Sequence, residues 1–407
     1  MDRLHGTIQA YAWGSTTALP TFLGRQPTGE PQAELWLGAH GSAPSQLGDR
    51  GLDAVIAADP EAVVGSASVA EYGARLPYLL KVLAAGQPLS LQVHPSRIQA
   101  EDGFAREEAA GIPSNAPNRT YKDDWPKPEA LCALGDVEAL CGFREPAASY
   151  ALFERLGAAG ALTLVEPLRA GTAEDLGEVF CRLLRLSEPE LEAVDEVVDA
   201  ARRVSADDEL GLFARTALEL AEHFPRDPGV LAALLMNRVA FSCNQAIFLP
   251  AGNLHAYLHG IGIEIQANSD NVLRGGLTAK QVDVDELLKL LDFTPGLPDV
   301  MQGQEQGPGV FAYPTPVPEF ALWRLECDGS AVALPGEGSD RVVLCAAGSV
   351  TLRCGDVELG MAQGQAAFVL AVDAGTQADG SGSLFVAASG IDGADQMTHQ
   401  LNATAPR

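Results

Sequence analysis

Lysine is nearly absent from this chain. Arginine is used freely, yet of 407 residues only Lys81, Lys122, Lys127, Lys280 and Lys289 are lysine. Where lysine is avoided this strongly, the few that remain are candidates for work arginine does poorly, as a compact charge or a titratable amine; ordinary surface positions are the alternative. Positive charge is scarce altogether. Against 54 acidic residues stand 27 basic ones, a formal net charge of −27, so no nucleic acid and no anionic membrane is expected as a partner. No run of eighteen uncharged apolar residues occurs, and the start Met1-Asp-Arg-Leu-His-Gly6 leads into no apolar stretch. A cytoplasmic protein is the expectation. Cys-x-x-Cys is missing too: the seven cysteines, an odd number, sit mostly in apolar runs such as Leu131-Cys132-Ala133 and Leu344-Cys345-Ala346. They read as reduced core thiols, not as metal ligands.

What is present is ample material for a core. Hydrophobic residues make up 47%, and the length implies two or three domains. Short strand-like runs with Gly and Pro turns fill both ends, so β structure should dominate there. Residues 53–75 read as one or two short helices, followed by a buried strand from Leu76 to Leu83 with Gln87–Pro95 as its partner across Gly86. Ser96 should cap a helix to about Ala110, and a strand should run from Ala130 to Leu134. From Pro146 the pattern turns helical, with candidate starts at Thr172, Ser187 and Ser205 and no visible chemistry. A further short helix is expected from Val284 to Leu291. The segment 300–318, with four prolines, reads as a linker; strands return at close intervals from Leu322 to Ala388, and the tail after Gln396 should fray. The domains expected are 1–145 with 239–318, a helical insertion over 146–238, and a β domain over 319–407.

The stretch 245–280 carries the densest polar pattern. Ile247–Leu249 and Ile261–Ala267 read as the two strands of a hairpin with His255 at its rim. Alternation puts Ile261, Ile263 and Ile265 on one face and Glu264, Gln266 and Asn268 on the other. Beyond them Arg274 precedes Gly275-Gly276, where backbone can come close to something beside a guanidinium. Upstream, Gln92 and His94 are two apart in a strand and share a face with Ser90; Glu129 adds a carboxylate and His255 a second imidazole. Such a set suits Zn²⁺ with an open position. A buried His or Gln is more often hydrogen-bonded than metal-bound, so residue types leave both readings open.

The strings Leu89-Ser-Leu-Gln-Val-His-Pro95, Tyr121-Lys-Asp-Asp124, Lys127-Pro-Glu129, Leu249-Pro-Ala-Gly-Asn-Leu-His-Ala-Tyr257 and Ser269-Asp-Asn-Val-Leu-Arg-Gly-Gly-Leu-Thr278 resemble the type I mannose-6-phosphate isomerase family. So do Ala10–Gly14, Ala33–Trp36 and Ala139–Phe143, all in family order. The resemblance implies a mainly β fold with an α-helical insertion: a cupin-type jelly roll interrupted by helices, then a second, C-terminal jelly roll. It implies one zinc per chain, held by Gln92, His94, Glu129 and His255, and a small sugar-phosphate substrate interconverted between aldose and ketose through a cis-enediol. Arg274 falls on the catalytic arginine. Ser90, Lys127 and Lys280 fall on substrate or phosphate contacts, and Lys81, Tyr257, Glu264 and Asp270 on the pocket lining. A monomer is expected.

One departure stands out. Asn-His is expected before Lys127 in the family, and this chain has Trp125-Pro126. Asp270, Lys81 or a zinc-bound water then become the candidates for the proton-transferring base, and Trp125 a candidate to stack on the sugar. Three other readings keep the fold: a changed sugar specificity, a non-catalytic sugar-phosphate sensor, and a metal dioxygenase, which the additional ligand Gln92 fits poorly.

Overall fold

The computed structural model describes residues 1–391 except 117, 170 and 281; the tail after Gln396 lies outside the described residues. Its strands form two eleven-stranded sheets, and the strand pairs in both are antiparallel. The first sheet runs in the order Val300–Gln302, Gln245–Leu249, Glu129–Ala133, His255–Ala267, Tyr78–Ala85, Glu34–Gly38, Thr7–Gln9, with Gln92–Val93, Val137–Phe143, Met236–Phe241 and Leu273–Arg274 joined beside it. The second holds the C-terminal strands together with Asp2–His5, Gln46–Leu47 and Arg50–Gly51. The mainly β architecture with helices between strands agrees with the sequence reading.

The strand His255–Ala267 shows why the sheets lie as they do. Ile263 and Ile265 are buried in an apolar cluster with Val342, Leu344, Phe368 and Phe385 of the second sheet. Glu264 and Gln266 face the other way. A one-residue slip would exchange these sets, at a cost of about 1.5–3 kcal/mol for each isoleucine exposed, so the register is firmly specified.

The expected hairpin does not form. Glu129–Ala133 lies between Gln245–Leu249 and His255–Ala267 and pairs with both. The intervening turn is pinned elsewhere, Gly252 N–H donating to the His94 carbonyl and Gly142 N–H to that of Leu254, so the chain crosses over instead of doubling back. Nor does Tyr78–Ala85 pair with Gln92–Val93. Both of its edges are taken, by Glu34–Gly38 and His255–Ala267. The 300–318 segment contains three strands, not a linker: Val300–Gln302 closes the first sheet, and Gln304–Gly307 and Val310–Tyr313, turned at Gly309 with φ 73°, edge the second. Edge strands tolerate the Gly, Gln and Pro that disguised them.

Helices start where side chains supply the cap. Ser96 with Gln99 opens Arg97–Ala109 and Thr172 with Asp175 opens Ala173–Leu184, both as capping boxes. Asp208, not Ser205, caps Glu209–His223, and the helix after Ser187 begins only at Glu192.

Tyr78 ties the two sheets together: its hydroxyl lies 2.6 Å from Asp340 Oδ2 and 3.0 Å from the Ala387 carbonyl oxygen. Burial pushes the Asp340 carboxyl up from 3.8 to about 7. The folded chain therefore holds a proton that the unfolded chain has released. This contribution to stability is complete below pH 3.8 and is lost as pH rises through about 7. Asp340→Asn, neutral throughout, should gain on the unsubstituted protein between about pH 5 and pH 8, by about 2–3 kcal/mol at most. Melting temperatures of both proteins at the two pH values check this; a difference that does not move with pH refutes it.

Candidate active site and metal centre

Pairing across the first sheet brings sequence-distant polar residues onto one wall. Residues directly opposite in an antiparallel pair project to the same side. Gln92 is opposite both His255 and Arg274, Glu129 is opposite Gln266, and Lys81 is opposite both Glu264 and Trp36. Together they line a cavity of ≈ 580 Å³. Of the residues singled out in the sequence, Lys81, Ser90, Gln92, Lys127, Glu129, His255, Tyr257, Glu264, Asp270, Arg274 and Lys280 all line it, and His94 stands behind them. Three of the five lysines are thus in one cavity.

His94, Glu129 and His255 are buried, with donor atoms within 4.8 Å of one another. Each Nδ1–H donates to a main-chain carbonyl, His94 to Asn271 at 2.7 Å and His255 to Asn253 at 3.0 Å. With Nδ1 so occupied, each ring turns Nε2 inward, where both nitrogens lie 3.4 Å from oxygens of Glu129. His94 Nε2 is buried with no hydrogen-bond partner. Burial and then Lys127 depress the His94 pKa to about 4, so the ring is neutral. Burial alone would raise the Glu129 carboxyl, but the Lys127 ammonium, at 2.8 Å, holds it well below the carboxylate range. Two inward imidazole lone pairs and an ionised carboxylate fit a zinc ion, with the Gln92 amide on the neighbouring strand.

Beside this centre lies a buried charge network. Lys81 Nζ lies 2.7 Å from Gln266 Oε1, 3.1 Å from Glu264 Oε2 and 3.4 Å from Glu34 Oε1. Burial would lower its pKa, but Glu34, Glu264 and Glu129 raise it instead, so the ammonium stays charged. Burial likewise raises Glu264, to about 7, against the pull of Lys81. Tyr257 presents a buried hydroxyl with no partner among the described residues. Farther out, Arg274 and Lys280 pair with no carboxylate among the described residues. The Lys280 pKa is lowered first by Arg274, then by burial and by Lys122, a concentration of positive charge suited to an anion.

Two expectations are corrected here. Trp125 does not stack over the cavity. Its ring packs on Tyr72 at 5.5 Å, with the guanidinium groups of Arg75 and Arg97 over it at 4.9 and 5.3 Å. What the loop gives the site is backbone: the Trp125 carbonyl accepts from Asn271 Nδ2 at 2.9 Å, and the Asn271 carbonyl in turn orients His94. The close approach permitted at Gly276 is to Gly229 of the helical insertion, not to a ligand, since a Cβ there would lie 2.7 Å from the Gly229 Cα. The insertion also supplies His223 and Phe224 to the cavity wall, although its sequence shows no chemistry. Gln266, on the polar strand face, lines the cavity as expected, whereas Glu34, Trp36 and His40 are cavity residues the sequence reading does not pick out; Glu34 and Trp36 lie within the Ala33–Trp36 motif, and nothing local marks His40. Among the described residues no helix is long and apolar enough to cross a membrane.

A family model described as "Phosphomannose isomerase type I, catalytic domain" matches residues 1–146. The chain is 36% identical to mannose-6-phosphate isomerase of Escherichia coli (strain K12) over 392 residues, which cover 94% of this chain and 98% of that protein. It is 31% identical to mannose-6-phosphate isomerase 1 of Arabidopsis thaliana, covering 79% of this chain and 78% of the other. Among solved structures, that of mannose 6-phosphate isomerase from Salmonella typhimurium bound to substrate (f6p) and zinc superposes with a TM-score of 0.88 at 34% identity, over 96% of this chain and 99% of that one.

Proposed function

The chain belongs to the type I phosphomannose isomerase family, and on that premise we propose that it interconverts D-mannose 6-phosphate and D-fructose 6-phosphate through a cis-enediol. The observation that carries this reading is the His94, Glu129 and His255 donor set in a cavity whose outer wall bears Arg274 and Lys280. Gln92, His94, Glu129 and His255 would hold one zinc, which when bound supplies a Lewis acid beside the sugar oxygens and offsets enediolate charge.

The chain's own residues do the rest. Lys280 and Ser90 anchor the phosphate, and Lys127 adds charge near the centre while it steadies Glu129. Tyr257 and Glu264 meet sugar hydroxyls. Arg274, between anchor and metal centre, stabilises the negative charge that develops on the open-chain oxygens. One base removes the proton from C2 as O1 gains one, and returns it to C1 as O2 loses its own. Asp270 suits this role better than Lys81. Its side chain is 55% exposed beside the cavity, whereas the Lys81 ammonium is already held by three oxygen acceptors and keeps its proton.

The test is an assay for fructose 6-phosphate formed from mannose 6-phosphate, on metal-stripped protein with and without added Zn²⁺. Turnover should be lost on stripping and return with zinc. Zinc-bound protein that turns over no mannose 6-phosphate would overturn the proposal.

A further inference from the structure

Besides His223, one further imidazole at the cavity is not used by this mechanism. His40, just beyond the strand Glu34–Gly38, has a side chain only 7% exposed, and its Nε2 lies 3.2 Å from Asp270 Oδ1. Geometry settles its tautomer. The Ser42 main-chain N–H, which can only donate, meets Nδ1 at 3.3 Å, and the Ser42 hydroxyl lies 2.9 Å from the same atom. A neutral ring that accepts at Nδ1 carries its proton on Nε2, so an N–H faces the carboxylate. The ring plane is set by Trp36, packed edge-on at 4.7 Å. Asp270 is gripped from the other side as well, its main-chain N–H donating to Asp123 Oδ2 at 2.9 Å. Asp123 also accepts from the Ser269 hydroxyl at 2.7 Å and the Trp125 N–H at 3.0 Å, which fixes the whole turn.

We infer that His40 is the positioning residue of the proton transfer: its Nε2–H holds Oδ1 of Asp270 and thereby aims Oδ2 at C1 and C2 of the substrate. The inference rests on Asp270 as the base. Oδ2 has no hydrogen-bond partner among the described residues, so it is the oxygen left to take the C2 proton and give it back at C1; His40 gains and loses none. The same hydrogen bond is the first cause, ahead of the opposing effect of burial, that holds the Asp270 carboxyl below its ordinary range. A base that must be ionised before each turnover benefits from that. With Pro126 where a histidine was expected, this is the imidazole that reaches Asp270.

The experiment compares His40→Leu, His40→Gln, Asp270→Asn and the double variant His40→Leu/Asp270→Asn, all loaded with zinc. Asp270→Asn should lower kcat by about 10²–10⁴-fold. His40→Leu should lower kcat by about 10–100-fold, as loss of an orienting partner does, with KM and zinc content unchanged. His40→Gln, whose amide N–H can reach the same oxygen, should recover most of that loss. The double variant should be no slower than Asp270→Asn, because without the carboxylate the imidazole has nothing to position. If the leucine variant melts early, His40→Asn, too short to reach Asp270, takes its place. Normal kcat in His40→Leu beside an inactive Asp270→Asn overturns the inference alone, and so do multiplicative losses in the double variant or a glutamine variant as slow as the leucine one. Normal kcat in Asp270→Asn overturns the choice of base as well.

Discussion

His255→Ala is expected to lose zinc and turnover together. The imidazole is buried and locked by its Nδ1–H to the Asn253 carbonyl, and Nε2 faces Glu129 across 3.4 Å. Alanine removes one of the two nitrogen donors and leaves an ionised carboxylate with a single imidazole opposite it. Loss of an outer hydrogen-bond partner to a metal ligand typically costs about 10–100-fold in metal affinity, so loss of the ligand itself should cost more. Zinc per chain after dialysis, together with the isomerase assay, reads the result. The fold should survive, since His255 belongs to a strand of 13 residues held on both edges, and melting temperature checks that. A variant that keeps stoichiometric zinc and full turnover would remove His255 from the ligand set.

Arg274→Ala separates chemistry from metal binding. The guanidinium is half-buried, opposite Gln92 on a two-residue strand, and bonds to no carboxylate among the described residues, so its removal breaks no ion pair that supports the fold. Zinc should stay. Removing a donor aimed at developing oxyanion charge usually costs about 10²–10³-fold in kcat, and that range is expected here. Arg274→Lys should recover little, because an ammonium lacks the planar fork. A rise in KM at unchanged kcat would instead make Arg274 a phosphate anchor, equal in role to Lys280.

Much of the site was legible locally because strand alternation is a local rule. Glu264 and Gln266 alternate with isoleucines whatever their partners, and the Ser96 and Thr172 capping boxes close within a single turn. The scarcity of lysine pointed at the cavity for a chemical reason, since a chain that meets its surface needs with arginine keeps lysine where a compact ammonium is wanted. The failures also share a cause. The hairpin expected from Ile247 to Ala267 assumed that neighbours in sequence pair, whereas in this fold Glu129–Ala133 comes between them. Trp125 sits in an irregular loop, where no periodicity says which way a side chain points, and Tyr72 at the end of one helix, Arg75 just beyond it and Arg97 at the start of another draw it away from the cavity.

By itself the sequence determined which residues had polar work to do, which strand face they occupied, and, through its motifs, the family. Alternation, capping and residue chemistry act over a few positions, so a linear string records them. Tertiary structure alone decided what those residues meet. Gln92 opposite His255 and Arg274, Lys81 between Glu34 and Glu264, and His40 against Asp270 are products of long-range antiparallel pairing. Which strands pair is set by burial of whole sheet faces, a sum over the entire chain that no single stretch of it contains.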